Sequence, residues 1–198
     1  MLPLPADADH YTVFGIPRQL RLDQQELSRR YYELSRLLHP DRHGTASAVA
    51  RDASMRNTAA LTRAHRTLRD PVSRALYWLE LHGEKLGSDN RVPPPLAALV
   101  FEVQEKLEEL REASAKSRPA LTSEIENVLG ELEARRDELD QRMEANFLKW
   151  DEAIAQPTPL LADLKSILAE RAYLSTLIRD VKATLAGDTA VARPHATR

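Results

Sequence analysis

The sequence contains no cysteine among its 198 residues. Disulfide bonds, thiolate catalysis and cysteine-ligated metal sites are therefore excluded, and a reducing compartment such as the cytosol fits this composition. Aromatic residues are also scarce, at 5%. No excess of positive charge is present either, because the formal net charge is −2. This balance argues against wholesale electrostatic binding to nucleic acid, and we expect no nucleic-acid partner.

Long apolar runs are missing as well. No run approaches the roughly 20 residues that a membrane-spanning helix needs. The first seven residues lack the basic stretch and the long apolar stretch of a secretory signal. Because 42% of the residues are hydrophobic and 29% are charged, the composition is typical of a soluble globular chain. We therefore expect a cytoplasmic protein without membrane association, built from one or two small domains.

The periodicity of the apolar residues is helical throughout the chain, with no alternating β pattern and no repeat of fixed period. Residues 10–17 predict a short apolar helix that is stopped by Gly15 and Pro17. Asp23 and Glu26 are spaced as in a capping box, which predicts the start of a helix that ends at Leu38. Two further helices are predicted, over residues 48–69 and, after Asp70-Pro71, up to Gly83. Small apolar residues in the first of these favour antiparallel packing against the preceding helix.

A change of composition marks residues 84–95, where turn residues precede three consecutive prolines. Longer, Glu-rich helices follow, and we expect them over residues 96–117, 119–154 and 160–185, with a turn at 156–159. Short connections between three such helices predict an up-down-up bundle over 96–186. The last residues, 187–198, are predicted to be a disordered tail.

The most informative stretch is His39-Pro40-Asp41. Pro40 cannot continue the preceding helix, so His39 and Asp41 are expected on an exposed turn. By itself, this tripeptide is compatible with a helix-ending turn. A catalytic His–Asp pair has no supporting nucleophile motif nearby, and a metal site formed with His43 lacks further ligands. We therefore predict no catalytic residue and no metal site.

The preceding helix is amphipathic. Leu27, Tyr31, Leu34 and Leu38 share one face, on which we expect them to be buried. Arginine lies on the opposite face. A helix of this kind that ends in His-Pro-Asp and is followed by an alanine-rich helix resembles the J-domain, which triggers ATP hydrolysis in seventy-kilodalton heat-shock chaperones.

The resemblance narrows to one family in the flanking segments. Residues 11–17, 67–71 and 74–83 are similar to the corresponding segments of the HscB family, the J-domain co-chaperones of iron–sulfur cluster assembly. The acidic helix after residue 95 and the three-helix region match the domain plan of that family. The resemblance covers about residues 10–186, is specific over 10–83, and is mainly architectural beyond. The lack of a cysteine-rich metal segment resembles the bacterial type.

The resemblance implies an all-α, L-shaped protein. A J-domain with its helical hairpin and following helix would occupy residues 9–83, a linker 84–95, and a client-binding three-helix bundle 96–186. The implied function is to stimulate the ATPase of an HscA- or DnaK-like chaperone and to deliver to it an IscU-like iron–sulfur scaffold protein. The implied protein is not an enzyme and needs no cofactor.

Site residues also follow from the resemblance. The residues implied to bind the chaperone are Arg29, Arg30, Arg36, His39, Pro40, Asp41 and Arg42. The sequence departs from the common pattern at Glu33, which interrupts the basic run, and at Ser28. The residues implied to bind the scaffold are Val100, Phe101, Gln104, Glu105, Glu108 and Tyr173. Tyr77 and Trp78 are instead expected to belong to the core.

Two other functions are compatible with the same residues. A J-domain protein with a different client would keep the chaperone-binding residues and lose the scaffold partner. A helical adaptor without a chaperone partner would be insensitive to substitution of His39.

Overall fold

The computed structural model of the protein describes residues 8–38, 48–87, 91–152 and 157–191. Over these ranges the chain forms seven α-helices and no β-strand, which confirms the predicted all-α class. The helices are α1 (His10–Phe14), α2 (Gln24–Leu38), α3 (Ala48–Arg69), α4 (Pro71–Leu81), α5 (Ala97–Glu112), α6 (Arg118–Asp151) and α7 (Pro157–Val191), with a 3-10 helix at Pro94–Leu96 before α5.

The chain divides into two compact units. The first comprises Met1–Lys85 and Phe147–Leu161, and the second comprises Leu86–Asn146 and Ala162–Arg198. The C-terminal end of α6 and the first turn of α7 therefore belong to the N-terminal unit. The rest of these two helices forms the second unit with α5.

In the first unit, α2 and α3 form an antiparallel hairpin, as predicted. Near one end the Ser54 hydroxyl of α3 donates to the Leu38 carbonyl of α2. Toward the other end the ring of Tyr31 stacks on His65, with 4.2 Å between ring centroids. Along α2, Leu38 is buried, whereas Tyr31 and Leu34 are only half-buried. The predicted face does point inward, but its middle residues lie at the edge of the hairpin.

The short helices of the first unit begin and end at the predicted residues. Asp9 caps α1 by accepting from the Thr12 N–H at 2.6 Å, and Gly15 ends it in the left-handed conformation at φ 62°. Asp70 caps α4 through the Ser73 N–H at 2.7 Å. A left-handed Gly83, at φ 76°, follows α4. A residue with a Cβ would be strained at either glycine.

The last turn of α6 is held inside the first unit. The Asp151 carboxylate accepts the N–H groups of Leu20 and Arg21, each at 2.7 Å. The Trp150 ring meets Trp78 edge-to-face at 5.5 Å. Trp78 is buried, as predicted. The two Asp151 hydrogen bonds join parts of the chain that are 130 and 131 residues apart.

In the second unit, α6 and α7 run antiparallel. Three pairs show the direction, because Glu133 meets Lys182 at 2.6 Å, Asp140 meets Arg171 at 2.5 Å and Asn146 meets Asp163 at 3.1 Å. Lys106 of α5 reaches Glu124 of α6 at 3.0 Å. The core between the helices is formed by buried aliphatic side chains, including Val103, Leu107, Ile125, Leu132, Leu139, Leu164, Leu174 and Ile178. The predicted three-helix arrangement is therefore present.

Several predicted helix ends were wrong. The first long helix stops at Glu112 instead of Ser117, because Ala113 is extended and the Ser114 hydroxyl accepts from the Ser117 N–H at 3.3 Å in a separate turn. The predicted turn at 156–159 is instead the start of α7 from Pro157 onward, since proline is tolerated where a helix needs no N–H.

The C-terminal prediction also needs correction. α7 continues through Gly187 to Val191, into the segment that was expected to be a disordered tail. Gly187 does not adopt a positive φ, so it does not end the helix. A glycine in a helix interior costs only about 1 kcal/mol relative to alanine, which a long packed helix can absorb. Residues 192–198 lie outside the described residues.

Candidate functional site

The first candidate surface is the outer face of α2. Arg29, Tyr32 and Arg36 recur at steps of three and four, so they share this face. All three are exposed, and 65% of Tyr32 is open to solvent. Arg30 lies nearer the hairpin and is half-buried. The face therefore presents an aromatic ring between two guanidinium groups.

Two carboxylates on the same helix hold Arg29. Its Nε and Nη2 donate to the two oxygens of Glu26 at 2.9 and 2.7 Å, and its Nη1 donates to Glu33 at 2.6 Å. Glu26 also accepts from the Nε of Arg30 at 2.8 Å. Of the predicted chaperone-binding arginines on α2, Arg29 and Arg30 are thus already paired within the helix.

The pairing fixes the charges of these groups. Hydrogen bonds from Arg29 and Arg30 lower the pKa of Glu26 to about 2, and the Glu26 hydrogen bond raises the pKa of Arg29. Arg36 differs, since it has no ion-pair partner among the residues that the structure describes. Three arginines and two glutamates leave α2 with one net positive charge.

The end of α2 is anchored where the His39-Pro40-Asp41 stretch begins. Leu38 is buried, and its carbonyl accepts from the Ser54 hydroxyl and from the Thr58 hydroxyl at 3.3 Å. The chain therefore leaves the helix at a fixed point on the hairpin. The predicted site residues His39, Pro40, Asp41 and Arg42 themselves lie outside the described residues.

The second candidate surface is the exposed face of α5. Phe101, Gln104, Glu105 and Glu108 recur at helical spacing and are all exposed. Phe101 is 72% exposed, which is unusual for a phenylalanine. Val100 does not belong to this face. It is only 9% exposed, because its position in the helix turns it into the core.

A cleft of about 490 Å3 lies beside this face within the second unit. Gln104 of α5 and Tyr173 of α7 both line it, together with Arg91 before the 3-10 helix and Thr176 on α7. The structure therefore brings together two predicted scaffold-binding residues that are far apart in the sequence. Tyr173 is half-buried, so part of its ring is open to a partner.

Other kinds of site find no support in the described parts of the chain. There, no group of three or more His, Asp or Glu side chains could hold a metal ion. No helix within the described ranges is long and apolar enough to cross a membrane.

Comparison with known proteins places these surfaces in a family context. Residues 9–77 match the family model of the DnaJ domain. The protein contains a J-domain. The fold of the whole chain is similar to that of two solved structures. The chaperone HscB from Vibrio cholerae is 23% identical, with a TM-score of 0.63, over 92% of this chain and 99% of that one. Human co-chaperone protein HscB is 24% identical, with a TM-score of 0.64, over 91% of this chain and 83% of that one.

These matches confirm the J-domain that was predicted from the sequence, and they show that the fold is that of HscB. The outer face of α2 and the anchored end at Leu38 are parts of the J-domain. The α5 face and the Tyr173 cleft lie outside residues 9–77, which are the residues that the DnaJ-domain model matches.

Two residues relevant to the J-domain surface were missed by the sequence reasoning. Tyr32 is an aromatic residue on an otherwise charged face, and its position between Arg29 and Arg36 could have revealed it. Ser54 is a buried polar residue, 3% exposed, on the inner face of α3. A serine among inward-facing alanines and leucines indicates a hydrogen bond, here to the end of α2.

Proposed function

We propose that this protein is a co-chaperone of iron–sulfur cluster assembly. It stimulates the ATPase of a seventy-kilodalton heat-shock-type chaperone, HscA- or DnaK-like, and delivers to it an IscU-like scaffold protein. The observation that carries this proposal is the combination of a J-domain at residues 9–77 with the HscB fold over 92% of the chain. The chain itself acts as an adaptor and needs no cofactor.

The proposed division of labour follows the sequence. Residues 9–83 are the chaperone-binding J-domain with its following helix, residues 84–95 are a linker, and residues 96–186 bind the scaffold. The last turn of α6 supports the N-terminal unit structurally. Because both contacts are carried by one chain, binding of one partner raises the effective concentration of the other.

The chaperone contact uses the outer face of α2 and the adjoining His39-Pro40-Asp41. The exposed Arg36 and the paired Arg29 and Arg30 provide positive charge for an acidic surface on the chaperone. Complementary charge of this kind accelerates encounter and selects orientation more than it adds affinity. The hydrogen bonds that Ser54 and Thr58 make to Leu38 set the point from which the tripeptide extends.

The scaffold contact uses the exposed face of α5 and the neighbouring cleft. Phe101 provides an apolar centre, and Glu105 and Glu108 provide a carboxylate rim. An aromatic centre within a polar rim is the usual anatomy of a modest protein interface. Gln104 and Tyr173 extend the surface from α5 to α7 through the cleft.

The test is single-turnover ATP hydrolysis by a matched chaperone, with the wild-type protein and with His39→Gln, each with and without the scaffold. We expect the wild-type protein to stimulate hydrolysis, the scaffold to increase this stimulation synergistically, and His39→Gln to abolish it. Substitution of an exposed residue outside both surfaces, Glu138→Gln, is the matched control and should change nothing.

The outcomes separate the proposal from its rivals. Stimulation without synergy would keep the J-domain function and refute the scaffold partner in favour of another client. Lack of stimulation of a chaperone that responds to its own co-chaperone would leave a helical adaptor as the remaining function.

A further inference from the structure

The carboxylate of Glu33 accepts a hydrogen bond from Arg29 in the middle of the proposed chaperone-binding face, the outer face of α2. Glu33 is more than half exposed, and its Oε1 lies 2.6 Å from the Nη1 of Arg29. Glu33 lies one turn after Arg29 and three residues before Arg36. Arg36 has no ion-pair partner among the described residues. Glu33 is also the residue at which the basic run of this helix is interrupted.

The geometry determines what an approaching partner finds. A guanidinium group has five N–H donors, and three of those of Arg29 are already used by Glu26 and Glu33. A carboxylate from a partner can use Arg36 directly. At Arg29 it finds two remaining N–H groups, and there it must bind beside the carboxylates of Glu26 and Glu33, which repel it, or displace Glu33 from Nη1. Docking at Arg29 is therefore opposed by the charge of Glu33, whereas docking at Arg36 meets no such pair among the described residues.

The ion pair contributes little to the fold itself. Both side chains are exposed, at 56% and 57%, and exposed pairs at this spacing contribute little to stability. The same charge acts on a docking partner throughout the encounter, because it reduces the positive potential of the whole face. The chief effect of Glu33 should therefore be on binding.

We infer that Glu33 is a specificity-determining residue that acts through Arg29, so that only a chaperone surface with closely spaced carboxylates engages Arg29 and Arg36 together. A less acidic surface would meet Arg36 alone, because its few carboxylates could not offset the repulsion by Glu33 at Arg29. A carboxylate placed in this way discriminates between related partners because it lowers the affinity for the partners that are less acidic. This inference rests on the proposed function, and it adds to it a selection among seventy-kilodalton chaperones.

The test compares the full-length wild-type protein with Glu33→Gln, which keeps the shape of the side chain and removes its charge. Association with the matched chaperone and with a second, less acidic one is followed by stopped-flow fluorescence at low and at high salt. We expect Glu33→Gln to associate faster at low salt, by roughly two- to fivefold. The gain should shrink at high salt, because exposed charges are then screened. It should be larger for the less acidic chaperone.

A double-substitution cycle tests whether the effect passes through Arg29. In an Arg29→Gln background, the long-range effect of the Glu33 charge remains but the competition for Arg29 is absent, so Glu33→Gln should give a clearly smaller gain. Glu138→Gln is the matched control, because Glu138 is an exposed glutamate paired with Arg135 at 2.8 Å on α6. It should leave the association rate unchanged. Thermal unfolding of the variants should stay close to that of the wild type.

The failure of this inference differs from the failure of the proposed function. If the wild-type protein stimulates the chaperone and Glu33→Gln associates no faster, the role of Glu33 is refuted while the co-chaperone function stands. An equal gain in the Arg29→Gln background would refute the route through Arg29. If the wild-type protein does not stimulate a competent chaperone, both proposals fail together.

Discussion

Substitution of two adjacent residues on α5, Val100 and Phe101, should separate stability from binding. Val100 is 9% exposed and Phe101 is 72% exposed, so neighbouring apolar side chains have opposite environments. We predict that Val100→Ala lowers the free energy of unfolding and spares scaffold binding. Phe101→Ala should do the reverse.

The magnitudes follow from the burial. Val100→Ala removes two buried carbon atoms at about 0.8 kcal/mol each, and the cavity left behind adds to this, giving about 1.5–2.5 kcal/mol. Phe101 has most of its side chain still to bury when a partner binds. Burying a large apolar side chain completely contributes about 1.5–3 kcal/mol, and 72% of Phe101 is still exposed, so its loss should weaken binding by roughly six- to fortyfold.

The assay combines two measurements on the same protein preparations. Urea unfolding followed by circular dichroism gives the free energy of unfolding, and calorimetric titration gives the affinity for the scaffold. Met55→Ala is a suitable control, because Met55 is also exposed, at 56%, but lies on α3 of the J-domain. It should change neither quantity by more than about 0.5 kcal/mol.

Two results would contradict this reasoning. If Phe101→Ala unfolds the bundle, the exposed position of its ring is wrong. If Val100→Ala weakens scaffold binding without loss of stability, the partner uses the other side of the helix and the assigned face must be rotated by one residue.

Two further predictions concern the first unit. Asp151→Ala should lower the free energy of unfolding by about 1–2 kcal/mol, because the N–H groups of Leu20 and Arg21 lose a charged acceptor to which they now donate at 2.7 Å. Asp151→Asn should lower it by less. Equal stability of the wild type and both variants in urea would refute a stabilising role of these hydrogen bonds. The Glu26 carboxylate has its pKa lowered from 4.5 to about 2, first by the Arg29 hydrogen bond, so its contribution is present above pH 4.5 and is lost as the pH falls toward 2. Melting temperatures of the wild type and Glu26→Gln should therefore converge over this pH range, and a constant difference would contradict the assignment.

The sequence was most informative where turn chemistry and periodicity agree. The end of α3 and the start of α4 followed from the Asp70-Pro71 pair, which lies between the two helices and caps the second one. Where the local sequence was compatible with either a helix end or a continuing helix, the tertiary packing determined where the helix begins or ends. A proline can end a turn or begin a helix, and at Pro157 it begins one. Gly187 could have been a cap, but the helix continues past it to Val191.

A similar ambiguity limited how many residues of the candidate sites could be predicted from the sequence. Leu99, Val100 and Phe101 are consecutive apolar residues, and a helix can bury only some of such a run. Periodicity alone could not fix the register to within one residue, and the packing of the bundle decided that Val100 faces inward. The ion pairs of Arg29 were equally hidden, since spacing allows a pair with Glu33 but does not show that it forms.

The contact of Asp151 with the loop at Leu20 and Arg21 has a consequence for biogenesis. The N-terminal unit is discontinuous along the chain, so a ribosome releases the J-domain helices long before the residues that complete their unit. Closing a contact across 130 residues also carries a larger entropic cost than the local helix pairings do. We therefore expect the nascent J-domain to remain incompletely stabilised until the end of α6 has been synthesised. By then α5, which carries the proposed scaffold-binding face, has already been made, so the J-domain would become competent to engage a chaperone only after that face exists.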